Sequence, residues 1–144
     1  NPASSGQRVI SGGTYSGNPL SAAAGLATLK KLTPARYQHL EAMGKRMRDG
    51  LNQIFRRAGE KAQAAGDGSL FQIVPTDQII ENYRSVPQDA AAFEWLDRLH
   101  RALLVAGVII SHRGLSCVST AMAEAEVDEV LDAFERVLTP GLTD

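Results

Sequence analysis

The segment Gly12–Leu20, Gly-Gly-Thr-Tyr-Ser-Gly-Asn-Pro-Leu, contains the residue types best suited to binding an anion. Glycine permits positive φ and lets another molecule approach the main chain closely. Asn18 and Pro19 are typical of a helix start, as N-cap and first helical residue. Free N–H groups, the Thr14 hydroxyl and the positive end of a helix dipole would together favour phosphate. A glycine-rich turn that binds nothing is the alternative interpretation.

A second group with chemical potential is the pair His112-Arg113, between two predicted short strands. A corner between strands displays side chains at the rim of a sheet. Arginine can bind a carboxylate through two parallel N–H bonds, which lysine cannot reproduce. Arg113 is therefore a candidate carboxylate anchor, and a solvated arginine at a turn is the alternative.

Other reactive side chains give no recognisable pattern. The three histidines, at positions 39, 100 and 112, are far apart, and none has the spacing of a metal ligand pair. We therefore expect no metal site. Ser11, Ser16 and Ser119 lie outside any Gly-x-Ser-x-Gly motif, which is typical of a serine nucleophile in one enzyme class. Cys117, next to Val118 in a predicted strand, is expected to be a buried, inert thiol.

The composition indicates one domain of ordinary size. The chain has 144 residues, of which 44% are hydrophobic and 22% charged, a mixture able to bury a core. A net charge of −1 gives no reason to expect nucleic acid or a membrane as partner. The apolar run Leu103–Ile110 is far shorter than the roughly 20 residues of a membrane span. With a single cysteine, no internal disulfide can form, and we expect a reducing, cytoplasmic location.

The hydrophobic spacing predicts four helices. The first begins at Pro19, is rich in small residues and ends before Thr33-Pro34. The second begins at Pro34, with Thr33 as cap, and ends at Gly59. The third runs from about Ala90 to Val105, is closed by Gly107, and begins after a good N-cap residue. The last helix has apolar residues at three- and four-residue steps, namely Val127, Val130, Leu131, Phe134, Val137 and Leu138.

The strands are predicted to be short. Leu70–Val74 is the clearest, Gln78–Ile80 is weaker, and Val108–Ile110 and Cys117–Ser119 flank the turn at Ser111–Gly114. Helices alternating with such strands predict an α/β (α+β) fold. We expect a two-layer sandwich with an antiparallel or mixed sheet under two or three helices.

The glycine segment also resembles a known family. Gly12–Leu20, continuing through Ala22–Leu29, is similar to the stretch after the cofactor lysine in class III pyridoxal-phosphate aminotransferases. It looks most like glutamate-1-semialdehyde 2,1-aminomutase and relatives that transaminate β-amino acids. The resemblance implies pyridoxal 5'-phosphate as cofactor, a homodimer, and a small amino or keto substrate. It also implies that Thr14, beside Gly13, reaches the cofactor phosphate bound by the other subunit.

The resemblance continues along the chain. Gly66–Gln72 looks like the Gly-x-Gly-Ser-x-Phe strand entry of these enzymes, and Leu103 to Val108 resembles their last helix-to-strand step. In some β-amino-acid aminotransferases an arginine in a comparable loop holds the substrate carboxylate, which implies that role for Arg113. Thr120–Ala123 departs from the Ala-His-Thr of the aminomutases. The choice between aminomutase and transaminase, and the substrate, therefore stay open.

The resemblance further implies a division of the chain. Residues 1–32 correspond to the tail of the large cofactor-binding domain, and residues 33–144 to the C-terminal small domain of a fold-type-I enzyme. Its cofactor lysine lies upstream of the glycine motif, and no lysine here occupies that place: Lys30, Lys31, Lys45 and Lys61 are in or beside predicted helices. We therefore expect a C-terminal piece that lacks the catalytic lysine and is inactive alone. A free-standing interaction domain and a small phosphate-binding module are the alternatives.

Overall fold

The computed structural model describes residues 13–139 and 141–142. Ser11 and Gly12, on which part of the sequence interpretation falls, lie outside the described residues. The chain divides into two compact units, Asn1–Pro34 and Ala35–Asp144. None of the described helices is both long enough and apolar enough to cross a membrane.

In the first unit, helix α1 comprises Pro19–Lys31. Asn18 caps its start and Pro19 takes the first helical position, as predicted. The helix ends before Thr33-Pro34, because the residue that precedes a proline avoids the helical region. All its residues are exposed.

Helix α2, Pro34–Ala58, supplies much of the core of the second unit. Its end at Gly59 agrees with the prediction. Gly59 has φ +71°, its N–H donates to the Arg56 carbonyl, and the Glu60 N–H donates to the Phe55 carbonyl. These two bonds form a Schellman motif, which favours glycine at the left-handed position. The buried side of α2 consists of Met43, Gly44, Met47, Leu51, Ile54 and Phe55.

Within the described residues the sheet has three antiparallel strands in the order β1-β2-β3. They are β1 (Gln63–Ala65), β2 (Leu70–Val74) and β3 (Leu115–Cys117). Ala64 pairs with Ile73, and Leu70 pairs with Cys117. Alternation along β2 sends Phe71 and Ile73 into the core, whereas Leu70 lies on the outer face.

Helices α3 (Ala90–Val105) and α4 (Glu124–Leu138) complete the core. A short 3-10 helix, Tyr83–Ser85, precedes α3. The helices pack with α2 against the inner face of the sheet. The two-layer sandwich that the sequence predicts is thereby confirmed, with an antiparallel sheet. Its fully buried side chains include Phe55, Phe134, Leu51, Leu99 and Leu103.

Three strand predictions are wrong. Gln78–Ile80 is a loop: the Gln63 side chain donates to the Gln78 carbonyl (2.7 Å), and Ile79 is 83% exposed. Val108–Ile110 is a connecting segment without a strand partner among the described residues, and its Ile110 carbonyl accepts from His100 Nδ1 (2.8 Å). The predicted strand Cys117–Ser119 lies two residues too late, since β3 begins after Gly114.

The prediction that Cys117 is buried is also wrong, because its side chain is exposed. Cys117 pairs with Leu70, and the side chains of such a pair point to the same face of a sheet. That face is the outer one, where Leu70 is 55% and Leu115 is 53% exposed. The next residue, Val118, takes the buried position instead.

Candidate functional site

Residues 13–18 form two overlapping turns. The Ser16 N–H donates to the Gly13 carbonyl (3.0 Å), and the Asn18 N–H donates to the Tyr15 carbonyl (3.1 Å). Gly17 has φ +77°, which the third position of a type II turn requires. Thr14 lies at the exposed tip of the first turn.

The start of α1 does not offer the free N–H groups that the sequence interpretation assumed. Asn18 Oδ1 accepts from the N–H groups of Leu20 (2.9 Å) and Ser21 (3.4 Å). Its carbonyl accepts from the N–H of Ala22 (3.0 Å), and Pro19 has no N–H at all. The capping residue therefore satisfies the donors with which a helix start would bind an anion.

Thr14 remains a candidate donor to an anion in this segment. Among the residues that the structure describes, no partner engages its hydroxyl or its N–H. Both groups can donate to a phosphate oxygen. Gly13 adds no side chain beside them, so a ligand can approach the main chain. These two residues fit part of a phosphate site, but neither supplies the positive charge that a complete site would have.

Arg113 occupies a tight turn between Ile110 and β3. The Gly114 N–H donates to the Ser111 carbonyl (2.9 Å), and the Arg113 N–H donates to Ser111 Oγ (3.3 Å). Gly114 has φ +75°, and a Cβ there would collide with the Ile73 carbonyl. The Gly114 carbonyl in turn accepts from the Ile73 N–H (3.0 Å). The predicted turn is present, and β2 fixes its position.

The guanidinium of Arg113 lies over the Phe93 ring, with Cζ 4.0 Å from the ring centre. The side chain is exposed, and it has no acidic partner within residues 13–139 and 141–142. Gln72 Nε2 donates to the Arg113 carbonyl (3.2 Å) and so ties the main chain of the turn to β2. The N–H groups at the edge of the guanidinium are available to a ligand.

Arg113 borders two open depressions. The larger encloses about 540 Å³, and its walls present polar and apolar surface in about equal parts. Its lining consists of Gln72, Ile73, Val74, Pro75, Tyr83, Val86, Pro87, Gln88, Phe93, Leu96 and Arg113. The smaller encloses about 350 Å³ and includes Glu94, Asp97 and His112. An arginine beside a depression that also presents apolar side chains is suited to a carboxylate that carries a carbon skeleton.

The fold brings together two of the histidines. The rings of His100 and His112 lie 3.9 Å apart between centres, and His112 Nδ1 is 3.2 Å from Asp97 Oδ1. Asp97 also pairs with Arg101 (3.5 Å). No cluster of metal-ligating side chains exists among the described residues. His39 is elsewhere, with Nε2 2.7 Å from the Met122 carbonyl.

Sequence reasoning missed the contribution of Phe93 and Gln72 to the surroundings of Arg113. Helical spacing places Phe93 on the same side of α3 as Leu96, and Phe93 is half-buried, but its ring also faces the turn. Gln72 alternates outward on β2 beside Leu115, its partner on β3. Strand alternation predicts its face, but the contact with Arg113, 41 residues away, depends on the register of β2 and β3.

Comparisons with known proteins agree with the resemblance found in the sequence. No family model matches the chain. A glutamate-1-semialdehyde 2,1-aminomutase from Listeria innocua is 32% identical over 129 residues, which are 88% of this chain and 30% of that protein. The chain thus spans less than a third of the length of this relative.

Solved structures of transaminases are also similar to this chain. The chain is similar to an omega-transaminase from Sphaerobacter thermophilus, with a TM-score of 0.79, 35% identity, and coverage of 90% of this chain and 30% of that one. A transaminase with PLP bound has a TM-score of 0.73 at 31% identity, over 92% of this chain and 30% of that one. In sequence and in fold, the chain corresponds to the C-terminal part of class III PLP-dependent transaminases and aminomutases.

Proposed function

We propose that this chain forms the C-terminal part of a cytoplasmic, PLP-dependent aminotransferase or aminomutase that moves an amino group on a carboxylate-bearing substrate. The observation that carries the proposal is the similarity of about nine-tenths of the chain, in both sequence and fold, to enzymes of these two kinds. Residues 1–32 would be the tail of the large cofactor-binding domain. Residues 33–144 would be the small domain.

Thr14 and Gly13 would contribute to the cofactor site. Pyridoxal phosphate supplies an electron-withdrawing ring that stabilises negative charge on the substrate carbon. The part of this chain is binding: the Thr14 hydroxyl and N–H donate to the phosphate, and Gly13 leaves room for it. In the homodimer that the resemblance implies, this phosphate belongs to the cofactor of the other subunit. The lysine that holds the cofactor would lie outside these 144 residues.

Arg113 would bind the substrate carboxylate. Its guanidinium is exposed and has no acidic partner among the described residues, so a ligand carboxylate displaces no internal ion pair. The planar edge offers two parallel N–H bonds to both carboxylate oxygens. A glutamate-1-semialdehyde aminomutase, the kind of relative reported above, acts on a substrate that bears such a group.

The test uses the full-length protein and its visible absorbance. With pyridoxal phosphate added and the excess removed, the protein should keep an absorbance band of the cofactor, and this band should shift when an amino donor is added. The 144-residue chain alone is the control and should retain no cofactor. A correctly folded full-length protein without the band would refute the proposal. Tight binding of the cofactor by the isolated chain would instead favour a small phosphate-binding module.

Arg113→Ala tests the substrate site in the same protein. Loss of a charge-assisted pair costs about 1.5–3 kcal/mol, which is about a ten- to hundredfold loss in kcat/KM for a carboxylate substrate. Arg113→Lys keeps the charge without the parallel donors, and we expect it to restore only part of the loss. Unchanged kinetics in Arg113→Ala would remove this role while leaving the cofactor assignment intact.

A further inference from the structure

We infer that Phe93 is a positioning residue: its ring holds the Arg113 guanidinium flat, with the N–H edge free to bind a ligand carboxylate. The inference rests on the proposed function, since it deepens the role given to Arg113. It adds a residue of a different element and a different chemistry to the site.

The geometry of the pair indicates a stacked cation. Arg113 Cζ lies 4.0 Å from the centre of the Phe93 ring, well inside the distance at which the ring quadrupole attracts a cation. Such stacking uses the face of the guanidinium, whereas carboxylate binding uses its in-plane N–H groups. The two interactions therefore do not compete, and stacking on the ring orients the guanidinium for carboxylate binding.

An exposed arginine normally pays a conformational cost on binding. Its long side chain loses rotamer freedom when it is fixed in one orientation. A ring beneath the guanidinium restricts this freedom before any ligand arrives. A carboxylate that then binds meets a preorganised donor pair, so its affinity rises without a new contact to the ligand.

The ring itself is firmly placed. Asp89 caps α3, with Oδ1 accepting from the Ala92 N–H (2.9 Å), and Phe93 follows in the first turn of the helix. Ala92 and Leu96, on either side of it in the sequence, are buried and fix the rotation of α3. The start of α3 therefore determines where the ring lies.

The turn that carries Arg113 is fixed independently. Gln72 Nε2 bonds its carbonyl (3.2 Å), and Ser111 Oγ accepts from its N–H (3.3 Å). Glu94 and Asp97 are the carboxylates that line the smaller depression beside Arg113, and Glu94 forms no ion pair with it. Asp97 is engaged by His112 and Arg101, and it makes no ion pair with Arg113. Ring and turn thus approach each other from two separately anchored elements.

Two matched ligands and four variants test the inference in the full-length protein. The probes are 3-phenylpropanoate and 3-phenylpropan-1-ol, which share the phenyl group and differ in the carboxylate. Their dissociation constants are measured by calorimetry, without any need for turnover. The variants are Phe93→Leu, which removes the ring and keeps apolar volume, Phe93→Tyr, which keeps the ring, Arg113→Ala, and the Phe93→Leu/Arg113→Ala double variant.

We expect the unmodified protein to prefer the carboxylate and Arg113→Ala to lose this preference. Phe93→Leu should weaken the binding of 3-phenylpropanoate by about three- to tenfold, the range of a partly exposed cation–π contact, and leave the affinity for the alcohol unchanged. Phe93→Tyr should behave as the unmodified protein. In the Arg113→Ala background, Phe93→Leu should have no further effect on the carboxylate, because the coupling acts through Arg113.

The contrary outcomes separate the two claims. If Phe93→Leu weakens the binding of both probes equally, or still weakens the binding of the carboxylate in the Arg113→Ala background, Phe93 has only a structural role and the inference is refuted. If the unmodified protein shows no preference for the carboxylate, the carboxylate site and the inference fail together. The cofactor absorbance would still decide separately whether the chain comes from a PLP enzyme.

Discussion

The carboxamide of Asn52, on α2, pairs with both main-chain groups of Ala64, on β1. Its Oδ1 accepts from the Ala64 N–H (2.8 Å), and its Nδ2 donates to the Ala64 carbonyl (3.0 Å). Since β1 is an edge strand, these groups would otherwise face outward without a strand partner. Asn52 thus takes the place of a fourth strand at this position.

Asn52→Ala should therefore destabilise the fold by about 1–3 kcal/mol, the cost of leaving half-buried polar groups unsatisfied. Urea unfolding followed by circular dichroism measures the change. Asn52→Asp is the sharper variant, because it keeps the acceptor and puts a second acceptor against the Ala64 carbonyl. A stability equal to that of the unmodified protein in both variants would contradict the proposed strand-like pairing.

Gly44→Ala should also destabilise the protein. A Cβ at Gly44 would collide with the carbonyl oxygen of Gly68, which is main chain and cannot move aside cheaply. Overpacking of this kind costs about 1–3 kcal/mol, more than the roughly 1 kcal/mol that alanine gains in a helix. The matched control is Gly25→Ala in α1, where a Cβ would meet nothing. The melting temperature, followed by the circular-dichroism signal of the helices, should fall for Gly44→Ala and stay unchanged for Gly25→Ala.

The ion pair between Arg46 and Asp128 predicts a pH-dependent stability. Arg46 donates from Nε and Nη2 to the two Asp128 oxygens (2.8 Å each), and these bonds hold the pKa of Asp128 below its ordinary value of 3.8. The folded state therefore binds this proton less readily than the unfolded state. The ion pair therefore contributes fully to folding stability when the pH is above the ordinary pKa of Asp128. The contribution is lost as the pH falls through the lowered pKa of the folded state.

Arg46→Ala should accordingly be less stable than the unmodified protein at neutral pH, and the difference should vanish on acidification below about pH 3.8. Urea unfolding across this range measures it. Arg56→Ala removes an exposed charge that has no acidic partner in the described part of the chain, and it serves as control. A difference for Arg46→Ala that stays constant with pH would be inconsistent with the pairing.

Thr14→Val should weaken cofactor retention in the full-length protein. The substitution keeps the branched shape and removes the hydroxyl donor to the phosphate, which costs about ten- to hundredfold in affinity for a charged acceptor. Equilibrium dialysis of pyridoxal phosphate measures the loss, and the melting temperature of the cofactor-free protein should not change. Thr14→Ser retains the hydroxyl and should retain the cofactor. Equal retention by the valine and serine variants would show that Thr14 does not bind the phosphate.

The helices could be predicted because their signals are local. Pro19 and the cap Asn18 mark the start of α1, and the cap Asp89 marks the start of α3. Glycine marks the ends of α2 and α3, at Gly59 and Gly107. Each signal acts within a few residues, so it does not depend on the rest of the fold.

The short strands and the surroundings of Arg113 depend on distant partners. β1 has three residues, and its position is set by β2 and by the Asn52 side chain. Isoleucine is a residue type that favours strands, yet the carbonyl of Ile110 accepts from the His100 side chain and not from another strand. The pairing of Arg113 with Phe93 likewise arises from tertiary packing, which residue type and spacing do not specify.

The exposed thiol of Cys117 gives the protein a built-in attachment point for a reporter group. Since the 144-residue chain has no other cysteine, a maleimide spin label or fluorophore would react at one place in it. That place is the end of the edge strand β3, on the outer sheet face beside Leu70 and Leu115. Its mobility and accessibility to a quencher would register directly whether another part of the full-length protein covers that face. Loss of labelling in the full-length protein would locate an internal interface without any engineered substitution.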